Sequence, residues 1–291
     1  MSKFRILAAT DGSSSARAAL KTAIAFPWPE PSRARGLVAL GSTGLRTRGA
    51  VRAAAMRSLY AQVEPARRLL AQRWSDADVM ARREAPAKAI FSEARRFGAD
   101  ALVLGWRGHG ALRRLLAGSV AREVVARATR PVLVARTVAR NVRRLVVGFD
   151  GSGEARRAVL FLRRLECPRG GSVVLVNIAA PVQFPPAGRR LPASVRRTIQ
   201  AEVAKANAER EAQAQRTLKP ATSLLKRAGW RAQAEVRFGA PLEGLLEAAA
   251  ERKGDVLVVG ARAARGLNRL LLGSVAAGAL NHSRTPVLIV R

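Results

Sequence analysis

Short, continuously apolar runs alternate with longer amphipathic segments along the whole chain. A run such as Val256-Leu257-Val258-Val259 shows no polar alternation, which is typical of a strand covered on both faces of a parallel sheet. Strands are predicted at 4–10, 36–41, 76–83, 100–105 and 131–135, and again at 144–149, 172–178, 231–238, 255–260 and 286–290. Helices are predicted at 14–26, 50–73, 86–97 and 119–129, and again at 154–165, 193–228, 241–252 and 274–282.

The start signals of these helices agree with the apolar pattern. Ser13 and Ser152 stand where a helix N-cap is needed, because their hydroxyls can accept a first-turn N–H. Pro86 and Pro241 suit the first turn of a helix, where no backbone donor is required. Regular alternation of strands and helices predicts an α/β fold with doubly wound parallel sheets.

The predicted elements repeat once within the chain. The Asp11-Gly12-Ser13 segment after the first strand reappears as Asp150-Gly151-Ser152, and residues 98–134 match 253–290, including a shared Gly-Ser pair. The sequence therefore predicts two tandem five-stranded domains, copy one at 1–138 and copy two at 139–291. They are expected to pack as a pseudo-symmetric pair through the strands at 131–135 and 286–290, while association of two chains is left open.

Candidate ligand groups cluster at one edge of the predicted sheet in copy one. In an open parallel sheet, ligands bind beyond the carboxyl ends of the strands where the winding direction reverses. Asp11 ends the first strand, Gly105 ends the fourth, and Gly118-Ser119 opens the next helix. We interpret the amides of residues 118–120 as donors that are unpaired within the helix, face outward and suit a phosphate. The Asp11 carboxylate suits a ribose hydroxyl or a metal-bound water.

One spaced motif gives this cluster a family resemblance. Gly105, Gly108, Gly118 and Ser119 form the pattern Gly-x2-Gly-x9-Gly-Ser, accompanied by the Asp-Gly-Ser turn and a closing Pro-Val-Leu-Val strand. This combination resembles the ATP-binding members of the universal stress protein family, over nearly all of both copies. The resemblance implies an adenine nucleotide alpha hydrolase-like fold with strand order 3-2-1-4-5 and a cytoplasmic regulatory protein of the stress response.

The resemblance also assigns site residues, with ATP, ADP or AMP as the ligand and Mg²⁺ as its candidate companion. In copy one it implies that Ala9 and Asp11 border adenine and ribose, that Gly41 and Ser42 offer backbone to the base, and that phosphates lie at Gly105, Gly108, Gly118, Ser119 and Val120. In copy two the corresponding residues are Gly148, Asp150, Asn177, Ile178, Gly260, Gly273 and Ser274.

The two copies depart from the family pattern at different places. Ala263 replaces the second glycine of the motif in copy two, which costs about 1 kcal/mol or more if that position needs a positive φ. In copy one Glu84 replaces a glycine that copy two keeps as Gly239, and we expect its side chain to point outward. Copy one is therefore the better candidate for a nucleotide site.

Charge and composition narrow the remaining possibilities. The chain has 52 Lys and Arg against 20 Asp and Glu, and the resulting charge of +32 is divided equally between residues 1–139 and 140–291. An even distribution favours a solvated Arg-rich surface over a specific nucleic-acid site, although polyanions should be attracted at low salt. One cysteine and two histidines argue against a disulfide framework or a zinc site. No apolar stretch is long enough to cross a membrane, and a cytoplasmic location is expected.

Other functions stay open beside nucleotide-dependent regulation. An interaction module without nucleotide fits a degraded motif such as that of copy two. A slow ATP hydrolase would need a positioned metal and an oriented water, and no residue is identified that would orient the water. Nucleic-acid binding driven by charge is the remaining alternative. Trp106 is interpreted as a packing residue.

Overall fold

The computed structural model describes residues 3–39, 49–107, 118–184, 192–261 and 272–291. Copy one contributes the strands β1 (Phe4–Thr10), β2 (Ser32–Ala39), β3 (Asp78–Arg82), β4 (Ala101–Gly105) and β5 (Val132–Ala135). Copy two contributes β6 (Arg144–Gly148), β7 (Ser172–Ala179), β8 (Arg231–Phe238), β9 (Val256–Gly260) and β10 (Val287–Val290).

Helices connect the strands in both copies. Those described in copy one are α1 (Ser14–Ala25), α2 (Gly49–Ala61), α3 (Val63–Leu70), α4 (Pro86–Phe97) and α5 (Ser119–Arg127). Those described in copy two are α6 (Gly153–Leu162), α7 (Ala193–Arg227), α8 (Pro241–Glu251) and α9 (Ser274–His282). The predicted α/β alternation is confirmed.

All ten strands form one sheet in the order β3-β2-β1-β4-β5-β10-β9-β6-β7-β8. Each half has the predicted order 3-2-1-4-5, and the pairs within each half are parallel. The two halves meet through β5 and β10, which pair antiparallel with Val287 opposite Val134. This confirms the predicted pairing through the last strand of each copy. The carboxyl edge of copy one consequently lies on the same side of the sheet as the amino edge of copy two.

Two apolar layers cover the sheet, and each is continuous across both copies. Helices α1, α3, α6 and α7 pack on one face, and α4, α5, α8 and α9 pack on the other. At the junction on the first face, the ring of Phe4 in copy one lies 6.3 Å from that of Phe161 in copy two. Because both faces are covered, the central strands carry few polar residues, which explains the apolar runs in the sequence.

Two predicted elements differ from the structure for identifiable reasons. The helix predicted at 50–73 is two helices that meet at Gln62, because Pro65 has no N–H to donate and its ring conflicts with the carbonyl of Ala61. Strand β2 begins at Ser32 rather than at 36, since Ser32 pairs with Phe4. The start of β2 was not predicted, because its side chains are mostly polar and the prediction relied on apolar runs.

A buried carboxylate connects β2, β3 and α4. Glu93 is fully buried, and its oxygens accept hydrogen bonds from Arg35 at 2.9 Å and from Arg82 at 2.6 Å. Arg35 also contacts Asp78, and that hydrogen bond is the main cause that raises the pKa of Arg35. Glu93 is thus a charged group whose burial depends on two guanidinium partners.

Two equivalent arginines fasten each copy to a helix end of the other. Arg136 follows β5 and donates to the Asn281 carbonyl of α9 at 2.7 Å. Arg291 follows β10 and donates to the carbonyls of Val125 and Ala126 in α5 at 2.9 and 2.6 Å. Burial lowers the pKa of both arginines. The partial negative charge at a helix C-terminus offsets part of that cost.

Candidate functional site

The turn after β1 is held by its own side chains. Gly12 has φ of +79°, which allows the chain to reverse directly after the strand. The N–H of Ser13 donates to Asp11 Oδ1 at 3.0 Å, and the hydroxyl of Ser13 caps α1 by accepting from the N–H of Ala16 at 3.2 Å. Asp11 therefore stabilises the turn in addition to any contact with a ligand.

Copy two repeats this turn almost atom for atom. Gly151 has φ of +78°, and the N–H of Ser152 donates to Asp150 Oδ1 at 3.0 Å. Ser152 then caps α6 by accepting from the N–H of Ala155 at 3.2 Å. The repeat detected in the sequence is thus a repeat of local geometry, and both aspartates end a strand at the carboxyl edge.

Hydrogen bonds join this turn in copy one to the end of β4 and the start of α5. The hydroxyl of Ser13 donates to the carbonyl of Arg107 at 3.1 Å, and the N–H of Arg107 donates to the hydroxyl of Ser15 at 3.1 Å. The N–H of Gly118 donates to the carbonyl of Trp106 at 2.8 Å. Asp11, the residues after β4 and the start of α5 therefore share one carboxyl edge, as predicted.

One part of the predicted cradle is wrong. We expected an outward-facing amide donor at Gly118, but its N–H donates to the carbonyl of Trp106. The N–H groups of Ser119 and Val120 belong to the first turn of α5, where a helix supplies no internal acceptor. The predicted anion donors at this helix start are reduced to these two amides and the Ser119 hydroxyl.

The backbone does not require glycine at the start of α5 or α9. Gly118 has φ of −58° and ψ of 151°, and Gly273 has φ of −62° and ψ of 153°. Any residue adopts such extended angles. Of the side chains that the structure describes, none caps either helix start. Glycine at these positions must therefore be explained by a group that packs closely against them. Ser274 in copy two corresponds to Ser119 in copy one.

Gly105 and Gly260 have a packing role that explains them without a ligand. A Cβ atom added to Gly105 would lie 2.6 Å from the backbone nitrogen of Ala16. One added to Gly260 would lie 2.7 Å from the carbonyl carbon of Glu154. In each copy the strand end approaches the first turn of a helix too closely for a side chain. Their predicted contact with a nucleotide stays a prediction.

The residues predicted to contact the base are described more completely in copy two than in copy one. Ala9 is half-buried near the end of β1, and Gly148 ends β6. Asn177 and Ile178 lie inside β7, which continues to Ala179. Their counterparts in copy one were predicted to follow the second strand. The Asn177 amide donates to the carbonyl of Phe149 at 2.9 Å. The predicted positions Gly41, Ser42 and Gly108, and the substitution at Ala263, lie outside the described residues.

Polar groups that the sequence did not reveal lie beside the Asp11 turn. A Cβ atom at Gly12 would be 1.9 Å from Gln62 Oε1, so the Gln62 amide covers the open side of this glycine. The guanidinium of Arg17 donates to the Gly12 carbonyl. In copy two the corresponding neighbour of Gly151 is Thr217, whose methyl carbon would be 2.6 Å from an added Cβ. The sequence signal that could have indicated Gln62 is Pro65, which interrupts the predicted helix three residues later.

A second unpredicted difference separates the copies. Ser15, whose hydroxyl is bonded to the Arg107 backbone in copy one, is replaced by Glu154 in copy two. Glu154 pairs with Arg157 at 2.9 Å and lies against the end of β9. Copy two therefore lacks the hydroxyl with which Ser15 holds the backbone of Arg107 in copy one.

Among the described residues, no group of three His, Cys, Asp or Glu side chains is arranged to hold a metal ion. No helix in the described ranges is both long and apolar enough to span a bilayer.

Comparison with known proteins supports the resemblance. The sequence model of the universal stress protein family matches residues 4–136 and again 141–291. The chain belongs to the universal stress protein family. It is a tandem member with two family domains, packed into one sheet. A universal stress protein from Methanocaldococcus jannaschii is 34% identical over 77 residues, which cover 26% of this chain and 45% of that protein. The chain thus matches less than half the length of that relative.

Solved structures show the same fold across the tandem. A universal stress protein from Archaeoglobus fulgidus aligns with 99% of this chain and 96% of its own, with a TM-score of 0.69 and 15% identity. A functionally unknown protein from Pseudomonas aeruginosa PAO1 aligns over 99% and 92%, with a TM-score of 0.57 and 15% identity. At these identities the likeness establishes the fold of both universal stress protein domains and not their ligands.

Proposed function

We propose that this tandem universal stress protein binds an adenine nucleotide at the carboxyl edge of copy one and acts as a cytoplasmic regulator of the stress response. One observation carries the proposal: hydrogen bonds join the Asp11 turn, the end of β4 and the start of α5 at the point where β1 and β4 lie side by side. This is the switch point of a doubly wound sheet, where such folds bind nucleotides. The domains are taken as 1–138 and 139–291.

Each group at this edge has a role in the proposed complex. The amides of Ser119 and Val120, aided by the dipole of α5, bind phosphate oxygens. Asp11 accepts from a ribose hydroxyl, and the Gln62 amide offers a further polar contact beside it. ATP is the proposed ligand, with ADP and AMP as competitors, and Mg²⁺ would accompany the phosphates.

Copy two is proposed as the half that packs and interacts without a nucleotide. The specific observation is Glu154, which replaces Ser15 and is paired with Arg157, whereas the Ser15 hydroxyl of copy one bonds the backbone of Arg107. Phosphate binding is therefore disfavoured in copy two, although the turn around Asp150 is intact.

Isothermal titration with ATP at near-physiological salt tests the proposal with a matched pair of variants. Gly118→Val and Gly273→Val stand at equivalent extended positions, so both variants should fold. We expect wild type and Gly273→Val to bind one ATP per chain with affinities within about two-fold of each other. Gly118→Val should show no binding, because its side chain blocks the approach to the first turn of α5. Absence of ATP binding to wild type, or equal binding by both variants, would overturn the proposal.

A further inference from the structure

A second polar cleft lies at the amino edge of copy two, on the same side of the sheet as the candidate nucleotide site, and shares none of the residues proposed for that site. It has a volume of about 630 Å³ and is formed by the linker between the copies and the amino ends of β6, β9 and β10. Its polar lining consists mainly of Thr137, Arg140, Asn141, Arg143, Arg144 and Asp255. It therefore lies at the edge of copy two opposite to the turn around Asp150.

The cleft carries an unbalanced positive charge. Its one carboxylate is occupied: Asp255 Oδ2 accepts from the N–H groups of Arg143 and Arg144 at 2.9 and 2.8 Å, and Oδ1 accepts from Arg144 Nη2 at 3.1 Å. Within the part of the chain that the structure describes, Arg140 and Arg143 have no acidic side chain within 4.0 Å. Two guanidinium groups are thus available to an anion that enters the cleft.

The linker that carries these arginines is fixed to both copies. The N–H of Ala139 donates to the hydroxyl of Thr22 in α1 at 3.1 Å, and the hydroxyl of Thr137 donates to the carbonyl of Arg284 at 2.9 Å. Ala139 and Val142 are buried, so the intervening backbone is anchored on both sides of Arg140. A fixed backbone lowers the entropic cost of binding, which distinguishes this cluster from arginines scattered on a surface.

We propose that this cleft binds a small polyphosphate anion. The volume is in the usual range for a small ligand, and guanidinium groups match the geometry of phosphate oxygens. A single-stranded nucleic acid is a weaker candidate, because no aromatic side chain is among the lining residues to stack on a base. The proposal does not depend on nucleotide binding by copy one.

Titration of the full chain with inorganic tripolyphosphate, without divalent ions and at near-physiological salt, tests the site. The Arg140→Ala/Arg143→Ala variant should bind about ten-fold more weakly or worse, because two charge-assisted contacts are lost. Its fold should persist, since the Asp255 contact uses the backbone N–H of residue 143. The matched control is Arg196→Ala/Arg197→Ala, which removes the same charge from an exposed part of α7 and should change affinity by less than about two-fold.

Two further arms separate this site from other polyanion binding. Gly118→Val should bind tripolyphosphate at the cleft as wild type does, whether or not ATP binds copy one. Equal weakening by the control pair would show non-specific attraction and overturn the proposal. Loss of tripolyphosphate binding in Gly118→Val would assign it to copy one instead. Displacement of tripolyphosphate by an equimolar single-stranded oligonucleotide would identify nucleic acid as the ligand and would also overturn the proposal.

Discussion

At the scale of single residues, the repeated turn shows how two copies share a geometry and differ in chemistry. Both turns use an aspartate, a left-handed glycine and a capping serine; the sequence predicted the repeated segment and its capping serines, but not the positive φ of the glycines. The residues after β4, which include Arg107, were predicted at this edge, but the neighbour Gln62 was not predictable, because helix packing brings it there. A local pattern carries no signal for such long-range contacts.

Alanine at either left-handed glycine should destabilise the protein, but only one should affect the ligand. Gly12→Ala and Gly151→Ala each force a side chain into a positive φ, which costs about 1–2 kcal/mol in the free energy of unfolding. Gly12→Ala also displaces the Gln62 amide, so its ATP affinity should fall while that of Gly151→Ala stays at the wild-type value. Urea denaturation and isothermal titration measure the two effects. Equal ATP affinity in both variants would argue against a role for the Gln62 side of the turn.

The buried Glu93 should be the most sensitive charged residue among those described here. Glu93→Gln removes the charge that pairs with Arg35 and Arg82, but Arg35 keeps Asp78 and both guanidinium groups are partly exposed, so we expect a loss of about 1–3 kcal/mol in the free energy of unfolding. Glu64→Gln is the control, because Glu64 forms its two arginine pairs on an exposed helix and should change stability negligibly. Similar midpoints in urea for both variants would contradict this assignment.

At the scale of elements, the apolar pattern predicted nearly every helix and strand. Parallel strands covered on both faces produce continuous apolar runs, and proline and serine mark the helix starts. The two errors have physical causes, since Pro65 divides one predicted helix and the charged start of β2 is stabilised by ion pairs with other elements. The meeting of the Asp11 turn, the end of β4 and the start of α5 at one edge was also predicted. The bond of the Gly118 amide to Trp106 was not, because the hydrogen-bond partner of a loop amide cannot be deduced from sequence spacing.

The contact between Trp106 and α9 should contribute measurably to the junction of the copies. Trp106 is buried, as predicted for a packing residue, and its indole N–H donates to the carbonyl of Leu280 at 2.8 Å. Trp106→Phe leaves that carbonyl unpaired and should cost about 1–3 kcal/mol in thermal or urea denaturation. In Trp74→Phe the lost partner is the hydroxyl of Ser32, a half-buried residue, so a smaller loss is expected. A larger loss of stability in Trp74→Phe than in Trp106→Phe would show that the Trp106 hydrogen bond contributes less to stability than its burial indicates.

At the scale of the whole molecule, the two copies form one structural unit. One sheet and two continuous apolar layers cross the junction, and Arg136 and Arg291 each bind a helix end of the other copy. The sequence predicted this pairing from its repeat. It did not reveal the reciprocal arginine contacts, because nothing local distinguishes those two residues among 45 arginines.

Unfolding in urea should therefore occur in a single transition. Trp28, Trp74 and Trp106 lie in copy one, and Trp230 lies in copy two, so the tryptophan fluorescence of a Trp230→Phe variant comes from copy one, including Trp106 at the junction. The midpoint of this fluorescence transition should coincide with the midpoint of the circular dichroism transition, which reports on the helices of both copies. Two separated midpoints would mean that the copies unfold independently.

The location of the nucleotide is tested most directly by a crystal structure of the full chain grown with ATP. We expect one nucleotide per chain, with its phosphates at the amides of Ser119 and Val120 and its ribose beside Asp11. Nucleotide density at Asp150 and Ser274 alone, or an empty copy-one edge at saturating ATP, would contradict it.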